Sequence, residues 1–225
     1  MAQLLIPVDA KAVIASAFAG VVRWAMMRIL PRAMVGTVAA GAGVGFESTI
    51  VGLSQTAQEV PVSTATLKVL DEFERDGIID RSNDLPSDGI YPIRDLSIVT
   101  TRYWHHTASA NGATWDQIAR GHIKRGWAGI GYHIGIDEKG MVAILNPLNR
   151  RTNHTEGHNS KGVGVVLLGN YDVNRPSEAM VKAIGRVRMY LDLIDITEER
   201  MHRETKSTAC PGRYAVEYLD RTRDR

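Results

Sequence analysis

Six consecutive residues, Val163 to Leu168 (VGVVLL), carry no polar side chain. A strand that is apolar at every position has no face to give to water, so other elements must cover it on both sides. The neighbouring segments can supply that cover. Ile98–Trp104 (IVTTRYW) is β-branched and aromatic and predicts a strand; Tyr132–Asp137 predicts a second. Lys139-Gly140 predicts a tight turn into a further strand over Met141–Leu145. Thr114, three residues before Gln117, fits a capping box and predicts a helix from Trp115 to about Lys124 that stops near Gly126. Within Ser177–Ile194, the residues Met180, Ile184, Val187, Leu191 and Ile194 recur at helical period. A shorter helix is expected over Arg213–Arg221. Strands alternating with helices predict an α/β fold with a mixed central β-sheet flanked by helices.

A chain of 225 residues has room for one such domain with an appendage. The first 53 residues have the character of an appendage. Residues 12–22 (AVIASAFAGVV) are apolar until Arg23 and Arg28 interrupt and Pro31 closes the run, and residues 33–46 are fourteen uncharged residues dominated by glycine, alanine and valine. Neither stretch reaches the roughly 20 residues needed to span a bilayer. Three readings stay open for 1–53: a small-residue helical hairpin packed on protein or at a membrane interface, a weakly hydrophobic anchor or export signal, and an adaptor with no membrane role. Inner-membrane association through residues 12–52 is one expectation among these. Residues 54–95 read as a linker holding a short helix over 64–75, with Leu67, Leu70 and Phe73 on one side, and then a loop-rich lead-in over 80–96. The domain proper is expected over 96–225.

The formal excess of +2 lies wholly in residues 1–53, while the remainder holds 23 basic and 23 acidic residues without a Lys/Arg cluster. That argues against nucleic acid as a partner. The lone cysteine excludes a disulfide framework, though not export.

All seven histidines lie beyond residue 104, and Cys210 follows the last of them, His202, by eight positions. Imidazole with thiolate suits zinc, and three protein ligands with one open position mark a catalytic site. His105 falls at the end of a predicted strand, where sites in α/β sheets form, and His106 is expected to face the other way. His202 and Cys210 can close the site from a strand-then-loop segment, MHRETKSTACPG, in which Pro211-Gly212 forces a turn.

Four blocks in order, TRYWHHTAS, RGWAGIGYHIGIDEKG, GHNSKGVGVVLLGNYD and MHRETKSTACPG, resemble the zinc-dependent N-acetylmuramoyl-L-alanine amidases, the family of the phage T7 lysozyme-type endolysins and the peptidoglycan recognition proteins. The resemblance covers roughly residues 96–220. It implies that fold, one Zn2+ per chain held by His105, His202 and Cys210, and Tyr132 as the catalytic tyrosine. Thr208 stands where the T7-type enzymes carry a catalytic lysine and many recognition proteins carry threonine. The activity implied is hydrolysis of the amide between N-acetylmuramic acid and L-alanine in bacterial peptidoglycan. A phage endolysin or other phage lytic enzyme is implied, monomeric and acting in the periplasm or cell wall, with the host cytoplasm or inner membrane as an earlier location. The alternative is a non-catalytic peptidoglycan-binding or regulatory protein of the same fold. A papain-like peptidase with Cys210 as nucleophile fits less well, because Pro211-Gly212 follows the cysteine where such enzymes place a buried helix.

Other residues read more broadly. His154 and His158 flank a Thr-Glu-Gly loop that can rim a substrate groove, and Trp127 can either stack on substrate or belong to the core. His122 is expected to pack or to border the cleft. His133 should face away from Tyr132 on their strand. Glu204 is a general-acid candidate only through its nearness in sequence to His202.

Overall fold

The computed structural model describes residues 78–223, together with a two-residue antiparallel pairing of Leu5–Ile6 with Val60–Pro61. The expectations for the apolar stretches over 12–22 and 33–46 and for a helix over 64–75 lie outside the described residues. Among the described residues, no helix is long and apolar enough to cross a membrane.

Six strands, β1 (Ile78–Asp80), β2 (Thr101–His106), β3 (Ile134–Ile136), β4 (Val142–Ile144), β5 (Gly162–Leu167) and β6 (Glu198–Met201), form one sheet in the spatial order β1-β4-β3-β5-β2-β6. β2 runs parallel to both β5 and β6, and β3 runs parallel to β5. The direction reverses at the β3–β4 hairpin, and β1 then pairs parallel to β4. The sheet is therefore mixed, as expected. Asp137 forms the hairpin turn by accepting from the backbone N–H groups of Lys139 and Met141 at 2.9 and 2.8 Å. Gly140 completes it at φ +78°, where an added Cβ would fall 2.4 Å from the Ala179 carbonyl oxygen.

Among the described residues, three helices cover the sheet: α1 (Trp115–Ile123), α2 (Glu178–Leu193) and α3 (Arg213–Thr222). β5 is buried along its whole length, and its side chains divide between two cores. Val163, Val165 and Leu167 join Trp104 of β2 with Met180, Ile184, Val187 and Leu191 of α2 and Ala215 and Leu219 of α3. Val166 joins Trp115 and Ala119 of α1 on the opposite face. The capping box of α1 is present, with Gln117 N donating to Thr114 Oγ1 at 3.3 Å and Thr114 N donating to Gln117 Oε1 at 2.9 Å.

Some boundaries differ from the sequence expectation. β2 starts at Thr101 and not at Ile98, because Leu96–Ile98 wind into a 3-10 turn capped by Asp95, whose carboxylate accepts from Ser97 N at 2.8 Å. The strand instead continues through His106, so His105 and His106 are both strand residues on opposite faces. β3 begins at Ile134, later than the expected Tyr132. Within the segment read as a linker, just ahead of the loop-rich lead-in, Ile78–Asp80 pairs with β4 as an edge strand.

Candidate metal centre

The parallel pairing of β6 with β2 builds the centre. Trp104 lies opposite Met201 in that register, so the residues that follow them, His105 on β2 and His202 just past the end of β6, come side by side with ring centroids 4.6 Å apart. His202 opens a 3-10 turn, His202–Glu204, and the chain then loops back to Cys210. The loop is tied down where Arg203 N donates to the Cys210 carbonyl at 3.0 Å. Gly212, at φ +96°, leads into α3, and a Cβ there would stand 2.4 Å from the Tyr171 carbonyl carbon. Cys210 Sγ accepts from His106 N at 3.4 Å and lies 3.7 Å from His105 Nδ1.

The ligand atoms of His105, His202 and Cys210 all lie within 4.8 Å of one another. Zinc bonds of about 2.0–2.1 Å to nitrogen and about 2.3 Å to sulfur, meeting at a tetrahedral angle, separate an N/S donor pair by about 3.6 Å. The 3.7 Å between His105 Nδ1 and Cys210 Sγ matches that spacing, so the residues fit the metal. Burial holds the His105 imidazole well below its ordinary pKa, helped by His154 and His202. Burial also lowers His202, and Lys206 adds to the effect. The Cys210 thiol is pushed up to about 12 by burial, partly offset by the His106 N–H. Without a metal the trio therefore rests as two neutral imidazoles and a thiol, and metal uptake must expel the thiol proton.

A row of rings continues from this centre. Tyr132 is half-buried with its ring 5.2 Å from His105, His122 lies 5.4 Å beyond, and Trp127 packs on His122 at 4.5 Å. Burial, and Cys210 after it, push the Tyr132 phenol well above its ordinary range. His122 Nδ1 accepts from Gly131 N at 3.0 Å, and burial, followed by Arg125, lowers this imidazole to about 4. Trp127 thus packs at a tilt against a core histidine and is itself half-buried. Thr208 is half-buried, and its hydroxyl accepts from Cys210 N at 3.3 Å.

Several histidines sit elsewhere than the sequence suggested. His154 is buried beneath His105, at 5.5 Å between rings, and not on a groove rim. His158 is exposed, 5.6 Å from the Tyr103 ring. His133 packs against His154 at 5.6 Å between rings and accepts from Gly164 N, while Tyr132 packs against His105 and His122, so the two neighbours make different contacts, although β3 itself starts only at Ile134. Glu204 binds Met201 N and pairs with Arg223 at 3.0 Å, so it braces its turn and leaves the metal centre.

Two residues that sequence reasoning passed over also belong here. Thr155 Oγ1 lies 3.2 Å from His105 Nε2 and 2.9 Å from His154 Nδ1. Buried Arg94 donates to the Asn159, Gly162 and Leu148 carbonyls at 2.5, 2.7 and 2.8 Å. A threonine beside a histidine carries no pattern of its own, and an arginine anchored by distant carbonyls is legible only once the chain is folded.

Residues 97–213, more than half of the chain, match the family described as N-acetylmuramoyl-L-alanine amidase. The chain belongs to that family. Peptidoglycan-recognition protein LB of Drosophila melanogaster is 32% identical over 94 residues, which are 40% of this chain and 40% of that protein. An N-acetylmuramoyl-L-alanine amidase of Sus scrofa is 36% identical over 107 residues, 44% of this chain and 18% of that one. The endolysin of Klebsiella phage KP32 is 36% identical over 114 residues, covering 46% of this chain and 76% of the endolysin. The chain thus spans well under two thirds of the first two of these relatives. Among solved structures, the endolysin amidase LysCS of Clostridium intestinale aligns over 64% of this chain and 94% of its own length, with TM-score 0.56 and 24% identity. That likeness shows the amidase-type fold.

Proposed function

We propose that this member of the amidase family hydrolyses the bond between N-acetylmuramic acid and L-alanine in bacterial peptidoglycan, as a zinc enzyme of the endolysin type. The observation that carries the reading is the convergence of His105, His202 and Cys210 within 4.8 Å, with the Tyr132 ring 5.2 Å from His105. A recognition protein without turnover has no need of a complete His-His-Cys set beside a half-buried phenol.

His105, His202 and Cys210 would hold the zinc. Zinc bound there supplies a water activated near neutral pH and a Lewis acid for the amide carbonyl. The protein's own contribution is directional. Tyr132 stays protonated, because burial raises its pKa, and serves as a hydrogen-bond donor to the oxygen on which charge develops. Thr208 accepts from Cys210 N with its oxygen, which leaves its own hydrogen free to donate toward substrate. Exposed His158 and half-buried Trp127 are the side chains we place against glycan or peptide. The place of action is the cell wall, reached by a phage lytic enzyme, and the chain works as a monomer.

The test is release of free N-terminal L-alanine from purified peptidoglycan, with and without a zinc chelator. Release that chelation abolishes and added zinc restores is the expected result. A folded protein with stoichiometric zinc and no release would overturn hydrolysis in favour of a peptidoglycan-binding or regulatory role.

A further inference from the structure

Behind the metal-facing nitrogen of His105, three hydrogen bonds run in series, and their direction follows from the group at the far end. His154 Nε2 lies 3.0 Å from the Gly162 carbonyl oxygen. A carbonyl can only accept, so Nε2 carries the hydrogen and Nδ1 of the neutral ring offers a lone pair. The ring is buried, and the Arg94 guanidinium, bonded to the same carbonyl at 2.7 Å, further opposes a second proton on it. Thr155 Oγ1, 2.9 Å from His154 Nδ1, must then give its hydrogen to that lone pair. What it has left for His105 Nε2, 3.2 Å away, is an acceptor. The hydrogen of His105 therefore sits on Nε2. Nδ1, 3.7 Å from Cys210 Sγ, is a bare lone pair aimed at the metal position.

We propose that Thr155 and His154 are positioning residues that fix the tautomer and ring orientation of His105 for metal binding, through a relay ending on the Gly162 carbonyl. The relay rests on the zinc reading above and deepens it. It is anchored in the fold at each member. Thr155 N donates to Asn159 Oδ1 at 2.7 Å, and Arg94 holds the Asn159 and Gly162 carbonyls at 2.5 and 2.7 Å. Gly164 clears the space for His154, since a Cβ there would lie 2.6 Å from the imidazole Cγ. Groups that orient a metal-bound imidazole through its second nitrogen typically contribute about 10–100-fold to metal affinity.

Two measurements on the full chain test the relay. The first is the 15N-histidine spectrum of the zinc-free protein, with the His105 signals assigned by comparison with His105→Ala. The expected pattern is a protonated Nε2 and an unprotonated Nδ1; a His105 protonated on Nδ1 would overturn the proposal even if Thr155 variants fail to fold. The second is zinc affinity by chelator competition. Thr155→Val should weaken binding about 10–100-fold, and Thr155→Ser, which keeps the hydroxyl, should restore it. Wild-type affinity in Thr155→Val would also overturn the relay. A wild-type protein that binds no zinc would instead sink the metal reading, and the spectrum would still decide the relay by itself.

Discussion

A phenol whose pKa is driven upward is a poor base and a dependable donor. That decides what Tyr132 can do at the metal centre. Its ring packs between His105 and His122 at 5.2 and 5.4 Å, so the phenol is held in place whether or not substrate is bound. Tyr132→Phe keeps the packing and removes only the O–H. The expected outcome is a fall in kcat of about 10²–10³, the usual effect of deleting one oxyanion donor, with KM and zinc content little changed. Steady-state kinetics of L-alanine release, alongside metal analysis, check it. An unchanged kcat would remove Tyr132 from the chemistry and leave it as a wall of the site. Thr208 differs in kind, since its oxygen already serves the Cys210 backbone; a substitution there mixes loop capping with any donor role.

At the scale of elements, the strand that most restricts the fold also carries the site's floor. β5 alternates valine or leucine toward α2 and α3 with Gly162, Gly164 and Val166 toward the other face. The two glycines are there for space and not for turn geometry: Cβ atoms would lie 2.7 Å from the Tyr103 ring and 2.6 Å from the His154 ring. Gly164→Ala should therefore cost about 1–3 kcal/mol through overpacking and also weaken zinc retention, because His154 must shift beneath His105. Val165→Ala, on the opposite face, should lose stability through a cavity yet keep its zinc. Denaturant unfolding with metal analysis of both variants separates the two faces, and zinc retention in Gly164→Ala would refute the link. Sequence made β5, α1 and α2 legible because a full apolar run, a capping box and a helical period are local signals. It also made His105, His202 and Cys210 legible, through ordered motifs. It misplaced the start of β2, where Asp95 caps a 3-10 turn, and it set His154 on a rim. Burial of an imidazole depends on what the fold stacks above it, and no spacing records that.

Across the whole molecule, five of the seven histidines are buried: His105, His106, His122, His133 and His154. Burial is the first cause of a lowered pKa at each, and it brings His122 to about 4 and His154 to about 3. In the unfolded chain the same side chains take up protons near 6.5. Their neutral burial therefore contributes stability that is present above pH 6.5 and is lost as the pH falls toward the folded values. Each such group adds a slope of about 1.4 kcal/mol per pH unit inside its window. Zinc would mask this at His105, so the metal-free protein is the one to measure. His122 is the histidine to substitute, since Tyr132 separates it from the ligands and its folded value sets the window at 6.5 down to about 4. Urea midpoints of chelator-treated protein should hold steady from pH 8 to 7 and fall below about 6.5. His122→Gln retains an acceptor for Gly131 N but cannot titrate, so its decline should be shallower by about one proton, whatever its stability at neutral pH. Parallel declines in the two proteins would show that His122 does not stay neutral in the fold. The same burial that readies imidazoles for a metal thus makes the unloaded domain sensitive to acid, and metal binding is what should relieve that sensitivity at His105.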